Sequence, residues 1–582
     1  MTRLRAFLLD RGGLLAVIVL ALYVWLARPY IVDGDNAELA TLGALGGAAH
    51  PSGYPLYVLW LRAMAWLPGA TPAHTAAIAT AILGAAAILV LHAACRAWGA
   101  RPLAATCACA IVAGAPVVLA MSSQAEVFAL NDLAVAAVLW LAARAGPARG
   151  VRRALLLGLV AGLGLSNHLT CALVAPVGLY GVVLGVREAS WRALPAAALG
   201  LAVGLLPYAY LLVAPDTPIS WGTVRSAGEL VHMVTRQDYG GSGAFLAHGK
   251  AVPPGANLVA LLDTLGRAWL WLPALIGLAT LAWRCARRRD GESRIAWCAL
   301  AASWLAAGPW LASRFNTVPE DMGLYIVHRF HLLPTILLAV PVAVGLDALA
   351  RRLPARAARL ATPAQAVVAT LGLAAVASLS LPHVLRVHTA AVERYVRNTL
   401  AMLPPRAVVV AGTDEIYFGG TYVQQALGER RDVTLVAWPQ MALLWYRERV
   451  ARRDVLAVPG DQPASVRMAQ YVLSTGAPLF VDKHQPDILA AFPSYPYGTL
   501  VRVLPRGTPA PPIEQVVAEN REVFSHFVLD YPRPGEHDEW PTVIHERYAR
   551  SWATLSEALA AAGHTSDAAD ALELARELGP AP

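Results

Sequence analysis

Apolar runs alternate with short polar breaks over the first 385 positions of the chain. With roughly 20 apolar residues per bilayer crossing as the ruler, the pattern predicts about eleven spans. They lie near 13–29, 72–95, 102–121, 126–143, 154–170, 171–186, 193–213, 259–283, 295–314, 331–350 and 366–384. The first run follows basic residues, as a signal peptide would, but no small-x-small cleavage site leads into a polar mature start. It is read as an uncleaved span. The breaks differ in kind. The first outer loop, about 30–71, holds a Pro- and Gly-rich turn and the amphipathic stretch "YVLWLRAMAWLP". Residues 214–258 form the longest loop and show no clear periodicity, and 315–330 reads as another loop.

The pattern changes after about residue 386. "AVVVAG" (407–412), "DVTLVAW" (432–438), "PLFVDK" (478–483) and "GTLVRVLP" (498–505) read as buried strands separated by helical stretches. From about 546 the chain reads as a tetratricopeptide-like helical hairpin, which must pack on something else because one such unit cannot bury its own face. The expected architecture is an α-helical polytopic membrane protein with a C-terminal soluble α/β plus helical-hairpin region. Its parts are 1–385 in the membrane, 386–545 as an α/β domain and 546–582 as the hairpin.

Composition supports this. The chain has 582 residues, 57% hydrophobic and 15% charged, against roughly 25% charged in soluble proteins. The net charge of +8 suggests nucleic acid at first. The arginines instead cluster in short loops between apolar runs, for example at 284–294 and 351–359, which is the pattern of topology signals. Nucleic acid is set aside as a partner, and the bilayer takes its place. If the basic loops are cytoplasmic, the N-terminus is cytoplasmic and an odd number of spans puts the C-terminal region outside. The six cysteines sit in or beside apolar runs without zinc-site spacing, so neither a disulfide framework nor a metal site is expected.

Candidate chemistry lies in the acids. The first 190 residues hold seven carboxylates, and five of them, Asp33, Asp35, Glu38, Glu126 and Asp132, fall near the expected outer face. A helix-capping explanation competes with a functional one. Asp35-Asn-Ala-Glu38 and Ser123-Gln-Ala-Glu126 both fit capping boxes. Asn167 and His168 end the fifth span, where an interhelical polar contact or a pocket would each account for them. Arg329 begins the tenth span, placed either to snorkel to the interface or to hold a phosphate.

Several stretches together resemble one family. They are Asp35-Asn36-Ala37-Glu38 with His50-Pro51-Ser52-Gly53-Tyr54-Pro55, Glu126-Val127-Phe128-Ala129-Leu130-Asn131, "GLGLSNHLT" (162–170) and "PISWGTV" (218–224). The family is that of membrane proteins whose animal member is a protein O-mannosyltransferase acting on IPT domains of receptors. It belongs to the C-type (GT-C) glycosyltransferases, which use lipid-linked sugar donors. The resemblance is strong over about 30–240 and looser beyond, reaching into the tail as far as 433. Ser52, Phe128 and Ser220 depart from the family pattern.

The resemblance implies transfer of a sugar, mannose by family, from a polyprenyl phosphate to a periplasmic acceptor, either protein Ser/Thr or a glycolipid or cell-wall glycan. It implies a first-loop carboxylate as base, Asp35 first and Glu38 next. His50 and Tyr54 would position donor or acceptor. Glu126, Asn167, His168 and Trp221 would support the pocket, and Arg329 would contact the phosphate. No cofactor or metal is required, although three acids in the first loop could hold Mg²⁺ through waters. The Ala- and Arg-rich composition suggests a bacterial inner membrane. A transporter or flippase is the rival reading, and it would need polar groups at mid-membrane depth and inverted repeats. A non-catalytic assembly protein, with the tail as its binding module, is a third.

Overall fold

The computed structural model describes residues 11–32, 34–241, 252–287, 291–352, 355–451, 463–482 and 485–581. Asp33 lies outside them. Four helical runs among the described residues are long and apolar enough to cross a membrane: Pro72–Ala97, Leu169–Leu212, Gly323–Ala350 and Thr370–Ala401. Two bent pairs raise this to six if each is one crossing, Pro102–Ala113 with Pro116–Ser122 at 72° and Gly255–Trp269 with Leu272–Ala286 at 108°. By this measure the expected eleven is not reached. Among the described residues the first and fourth expected spans are helices of 16 and 15 residues, Arg11–Leu26 and Phe128–Ala142, short of an upright crossing. The sixth and seventh run together as Leu169–Leu212, interrupted at Ser190, where φ is 62°.

Burial separates inner from outer helices. Leu179, Leu199 and Leu206 stand 65%, 59% and 63% exposed along Leu169–Leu212. Exposed leucines repeated along one helical run fit lipid and do not fit water. The best window of Gly323–Ala350 is instead 83% buried, which makes this helix the centre of the bundle.

The key helices are α1 (Gly34–Leu45), α2 (Pro55–Ala63), α3 (Phe128–Ala142), α4 (Gly150–Asn167), α5 (Ala193–Gly204) and α6 (Asp321–Ala350). The expected first outer loop is about half helical, since it contains α1 and α2. The expected loop 315–330 is also half helix, because α6 starts at Asp321. Arg329 therefore lies in the third turn of a buried helix and not at a span's outer start. Helices α4 and α5 meet along facing glycines. A Cβ on Gly158 would fall 2.0 Å from the Ala197 carbonyl, and one on Gly204 would fall 2.4 Å from that of Leu159. Such small-residue seams let backbones approach where no hydrophobic drive between helices exists. The seam fixes the end of α4, where Asn167 and His168 stand.

The C-terminal region is built on five strands: β1 (Val408–Ala411), β2 (Thr434–Ala437), β3 (Leu479–Val481), β4 (Ser494–Tyr497) and β5 (Leu500–Val503). Their order is β2-β1-β3-β5-β4. β1 is parallel to β2 and β3, while β5 is antiparallel to β3 and β4. Four of the five coincide with the apolar runs read from the sequence. The fifth, "SYPY", went unrecognised because a proline interrupts it. The chain ends in a pair of helices, α7 (Trp540–Ala561) and α8 (Thr565–Leu578). It begins a few residues before the expected hairpin. Trp552, Leu555 and Leu559 pack there with Tyr495 of β4 and with Val516 and Val517.

This region is not a tethered appendage. Ile31 donates its backbone N–H to Glu393 Oε2 at 3.1 Å, and Tyr30 donates its hydroxyl to the His388 carbonyl at 3.0 Å. A Cβ on Gly419 would meet Ile31 Cδ1 at 3.3 Å. The segment after β1 thus lies directly on α1.

Candidate active site

Two clasps organise the site. In the first, Glu38 holds the turn that follows α1. Its Oε1 accepts the His50 backbone N–H at 2.8 Å, and its Oε2 lies 2.5 Å from His50 Nδ1. The other ring nitrogen of His50 lies 3.1 Å from the Tyr54 hydroxyl. Tyr54 has a left-handed φ of 40°, which is costly for a bulky residue and marks functional sites when neighbours hold it. Its ring stacks on His168 with centroids 5.7 Å apart and planes 2° from parallel. His168 is in turn packed against Phe128 and Phe330.

In the second clasp, Arg329 of α6 forms ion pairs with Asp35 of α1 and with Glu126, the latter at 3.2 Å. Glu126 is 1% exposed and Asp35 is 28% exposed. Of the two carboxylates, Asp35 is therefore the one within reach of solvent. Asn167 supports Glu126 from behind: its Nδ2 donates to the Val127 carbonyl at 3.0 Å.

These contacts decide against the capping boxes. Asp35 lies inside α1, and its carboxylate goes to Arg329. Glu38 is fully buried and goes to His50. Ser123 donates to the Leu119 carbonyl of the preceding helix, α3 begins only at Phe128, and Glu126 faces Arg329. Glu38 has no open side from which to act as a base, so its place is that of an orienting group for His50.

The charges sharpen the distinction. Burial alone would raise the Asp35 pKa, but Arg329, His50 and Arg236 outweigh it and hold the carboxyl below the usual range. Burial alone would lower that of His50, yet Tyr54, Glu38 and Asp35 push it well above its ordinary value. These neighbours favour the ionised form of Asp35 and the protonated form of His50. Among the described residues no group of three His, Cys, Asp or Glu is arranged to hold a metal ion.

A third wall comes from residues 214–241. The Trp221 backbone N–H donates to the Ala48 carbonyl at 2.8 Å, and its indole N–H donates to Asp238 at 2.7 Å. The indole lies 6.4 Å from the His50 ring and 5.6 Å from that of Tyr239. Arg236 donates to the Pro51 carbonyl at 2.8 Å and sits 5.1 Å from the Tyr239 ring centroid.

All nine residues singled out from the sequence converge here: Asp35, Glu38, His50, Tyr54, Glu126, Asn167, His168, Trp221 and Arg329. Arg236, Tyr239 and Asp414 were missed. The first two lie in an aperiodic loop with no local signal. Asp414 offered one, because it closes an apolar strand.

Known proteins resemble this chain in sequence and in fold. Residues 35–192 match the family model described as the Protein O-mannosyl-transferase TMEM260 N-terminal domain. The mouse Protein O-mannosyl-transferase TMEM260 is 26% identical over 461 residues, 74% of this chain and 63% of that protein. The Dictyostelium discoideum protein of the same description is 22% identical over 267 residues, 40% of this chain and 32% of that protein. The chain thus spans less than two thirds of these relatives. The crystal structure of ArnT from Cupriavidus metallidurans bound to undecaprenyl phosphate has the same fold, with a TM-score of 0.56 over 86% of this chain and 99% of that one at 12% identity.

The chain is similar in sequence to protein O-mannosyl-transferases of the TMEM260 description and shares the fold of ArnT.

Seven of the nine converging residues fall within the stretch matching the TMEM260 N-terminal domain, from Asp35 to His168. Trp221 and Arg329 lie outside it. The candidate site therefore also draws on a central helix and a loop that lie beyond the matched stretch.

Proposed function

We propose that this protein transfers a sugar, mannose by its family, from a polyprenyl phosphate to an acceptor hydroxyl, with Asp35 as general base. The reading rests on one observation above all: an accessible Asp35 paired to an Arg329 that is itself anchored by a buried Glu126. A lipid-linked donor keeps its tail in the bilayer and its phosphate at the rim, and Arg329 on the central helix supplies charge there. A guanidinium is well suited to phosphate, since it offers several donors in a fixed fork.

The step balances as follows. Asp35 takes the proton of the acceptor hydroxyl as its oxygen forms a bond to the anomeric carbon. The bond from that carbon to the phosphate oxygen breaks, and its electron pair leaves on the polyprenyl phosphate. Arg329 and the protonated His50 stabilise the negative charge that gathers there. Because attack and departure occur on opposite faces, configuration inverts.

The pairing of Asp35 with Arg329 also orders the cycle. While it lasts, the carboxylate is a weak base. A phosphate that engages Arg329 draws off part of the guanidinium's charge, and the proton affinity of Asp35 rises. Donor binding thereby switches on the base. The basic loops between apolar runs support the non-cytoplasmic face for this chemistry, and the family supports a protein Ser or Thr as acceptor.

The test is reconstitution in proteoliposomes with undecaprenyl-phosphate-mannose and a mixture of protein and glycolipid acceptors, with products read by mass spectrometry. A hexose on Ser or Thr is the expected result. A hexose found on lipid alone would move the acceptor to glycolipid, and no transfer from any lipid-linked sugar would overturn the reading.

A further inference from the structure

The small sheet has a topological switch point. From β1 the chain passes to β2 on one side and then returns to β3 on the other. In open α/β sheets such a reversal leaves a crevice at the carboxyl ends of the strands, where ligands bind. Here the residues leaving β1 are Gly412, Thr413, Asp414 and Glu415. The Gly412 N–H is held at 2.5 Å by Asp482, which directly follows β3. Glu415 turns inward to Arg547 at 3.0 Å. Asp414 turns outward. It is exposed, and among the described residues no hydrogen bond or ion pair engages its carboxyl.

Its position is specific. A Cβ on Gly34 would sit 3.6 Å from the Asp414 Cβ, so Asp414 stands against the first turn of α1, beside Asp35. Its charge is felt by Asp35, Glu38 and His50 and by the Tyr239 hydroxyl. Asp35, with its partner Arg329, and Asp414 thus meet where α1 adjoins the sheet. Tyr239 and Trp221 add an aromatic flank, their rings 5.6 Å apart and tilted by 31°. A sugar ring presents hydroxyl edges and an apolar face, and this pairing of carboxyl and aromatic groups matches both.

Resting on the transferase reading above, we infer that Asp414 hydrogen-bonds a hydroxyl of the sugar being transferred, so that the carboxyl end of the C-terminal sheet is part of the donor pocket. Asp414 is then a positioning and specificity residue, while proton removal belongs to Asp35. Its protonation suits the role. Although its side chain reaches the surface, desolvation by the protein packed around it, with the nearby Asp35 and Glu415, pushes its carboxyl up to about 7. Near neutral pH it both donates and accepts, and it adds little repulsion toward the donor phosphate.

The experiment uses the full chain in proteoliposomes, with undecaprenyl-phosphate-mannose and its four monodeoxy analogues as donors. Asp414→Ala should raise the donor KM roughly 10- to 100-fold, the scale of a lost hydrogen bond to an ionisable group. Asp414→Asn should stay within a few-fold of wild type. The Ala penalty should vanish for one monodeoxy donor, since wild type has already lost that bond. A penalty equal across all donors would mean a structural role and would overturn the inference, as would no penalty at all. Asp35→Asn runs alongside. If it is inert while Asp414→Ala matches wild type, only the Asp414 assignment fails. If wild type transfers from none of these donors, the transferase reading fails and takes the assignment with it.

Discussion

Arg329 serves two carboxylates of unlike exposure. Glu126 is sealed and Asp35 is accessible, so the first anchors the guanidinium and the second is available for chemistry. The sign of the resulting pH dependence follows. Arg329 lowers the Asp35 pKa, and a base works only when ionised, so transfer falls as pH drops through that lowered value. Removing the guanidinium raises the Asp35 pKa, because burial then acts against the charge. Arg329→Ala should therefore move the acid limb of the kcat/KM profile, which reports the free enzyme, to higher pH, besides weakening donor binding. A profile measured from pH 4 to 8 checks this, and an unmoved limb would take Asp35 out of the base's role. Much of this was legible at the residue scale, because the Asp-x-x-Glu and His-Pro motifs are local. The pairing of Asp35 with Arg329 was not, since the two are 294 positions apart.

At the scale of elements, the site depends on how short pieces are pinned together. The turn after α1 carries Gly47 at φ 124°. A Cβ there would come within 2.8 Å of Thr217 Oγ1 and 3.1 Å of Ser220 Cβ. The same Ser220 accepts the Ala48 N–H at 2.9 Å, and this bond with its neighbour holds Trp221 beside His50. Gly47→Ala should cost roughly 1–3 kcal/mol from backbone strain and should push the Trp221 segment away. Thermal unfolding in detergent and donor KM are the two readouts, and both should worsen. Element boundaries were the least legible part of the sequence. The start of α6 was signalled by Pro319, Glu320 and Asp321, a proline and acids at a helix N-terminus, yet the polar stretch around them reads as loop. The bent pairs and the short helices were beyond a ruler that counts only apolar length.

Across the whole molecule, the C-terminal part packs against the first turn of α1, which bears Asp35. α7 is tied to the segment bearing Asp414 through Arg547 and the buried Glu415, 3% exposed at its side chain. Arg547→Ala would strand that carboxylate, and loss of one partner of a buried pair costs about 3–5 kcal/mol. The expected result is a lower unfolding temperature together with impaired transfer. If the tail were a detachable recognition module, transfer to a small acceptor would survive. The existence of the sheet was legible in its continuous β-branched runs. Its docking on α1 was not, because that contact is made of single residues spread over several stretches, such as Ile31, Glu393 and Gly419.

The central claim is that Asp35 removes the acceptor's proton. It is tested most directly by Asp35→Asn in full-length protein, assayed for transfer from undecaprenyl-phosphate-mannose and for thermal unfolding in the same preparation. Asn keeps the shape and can still hydrogen-bond, but it cannot take up the proton. The account predicts loss of transfer by at least about 100-fold, within the range of general-base catalysis, in a protein that inserts and folds. Transfer at the wild-type rate by that variant would contradict it.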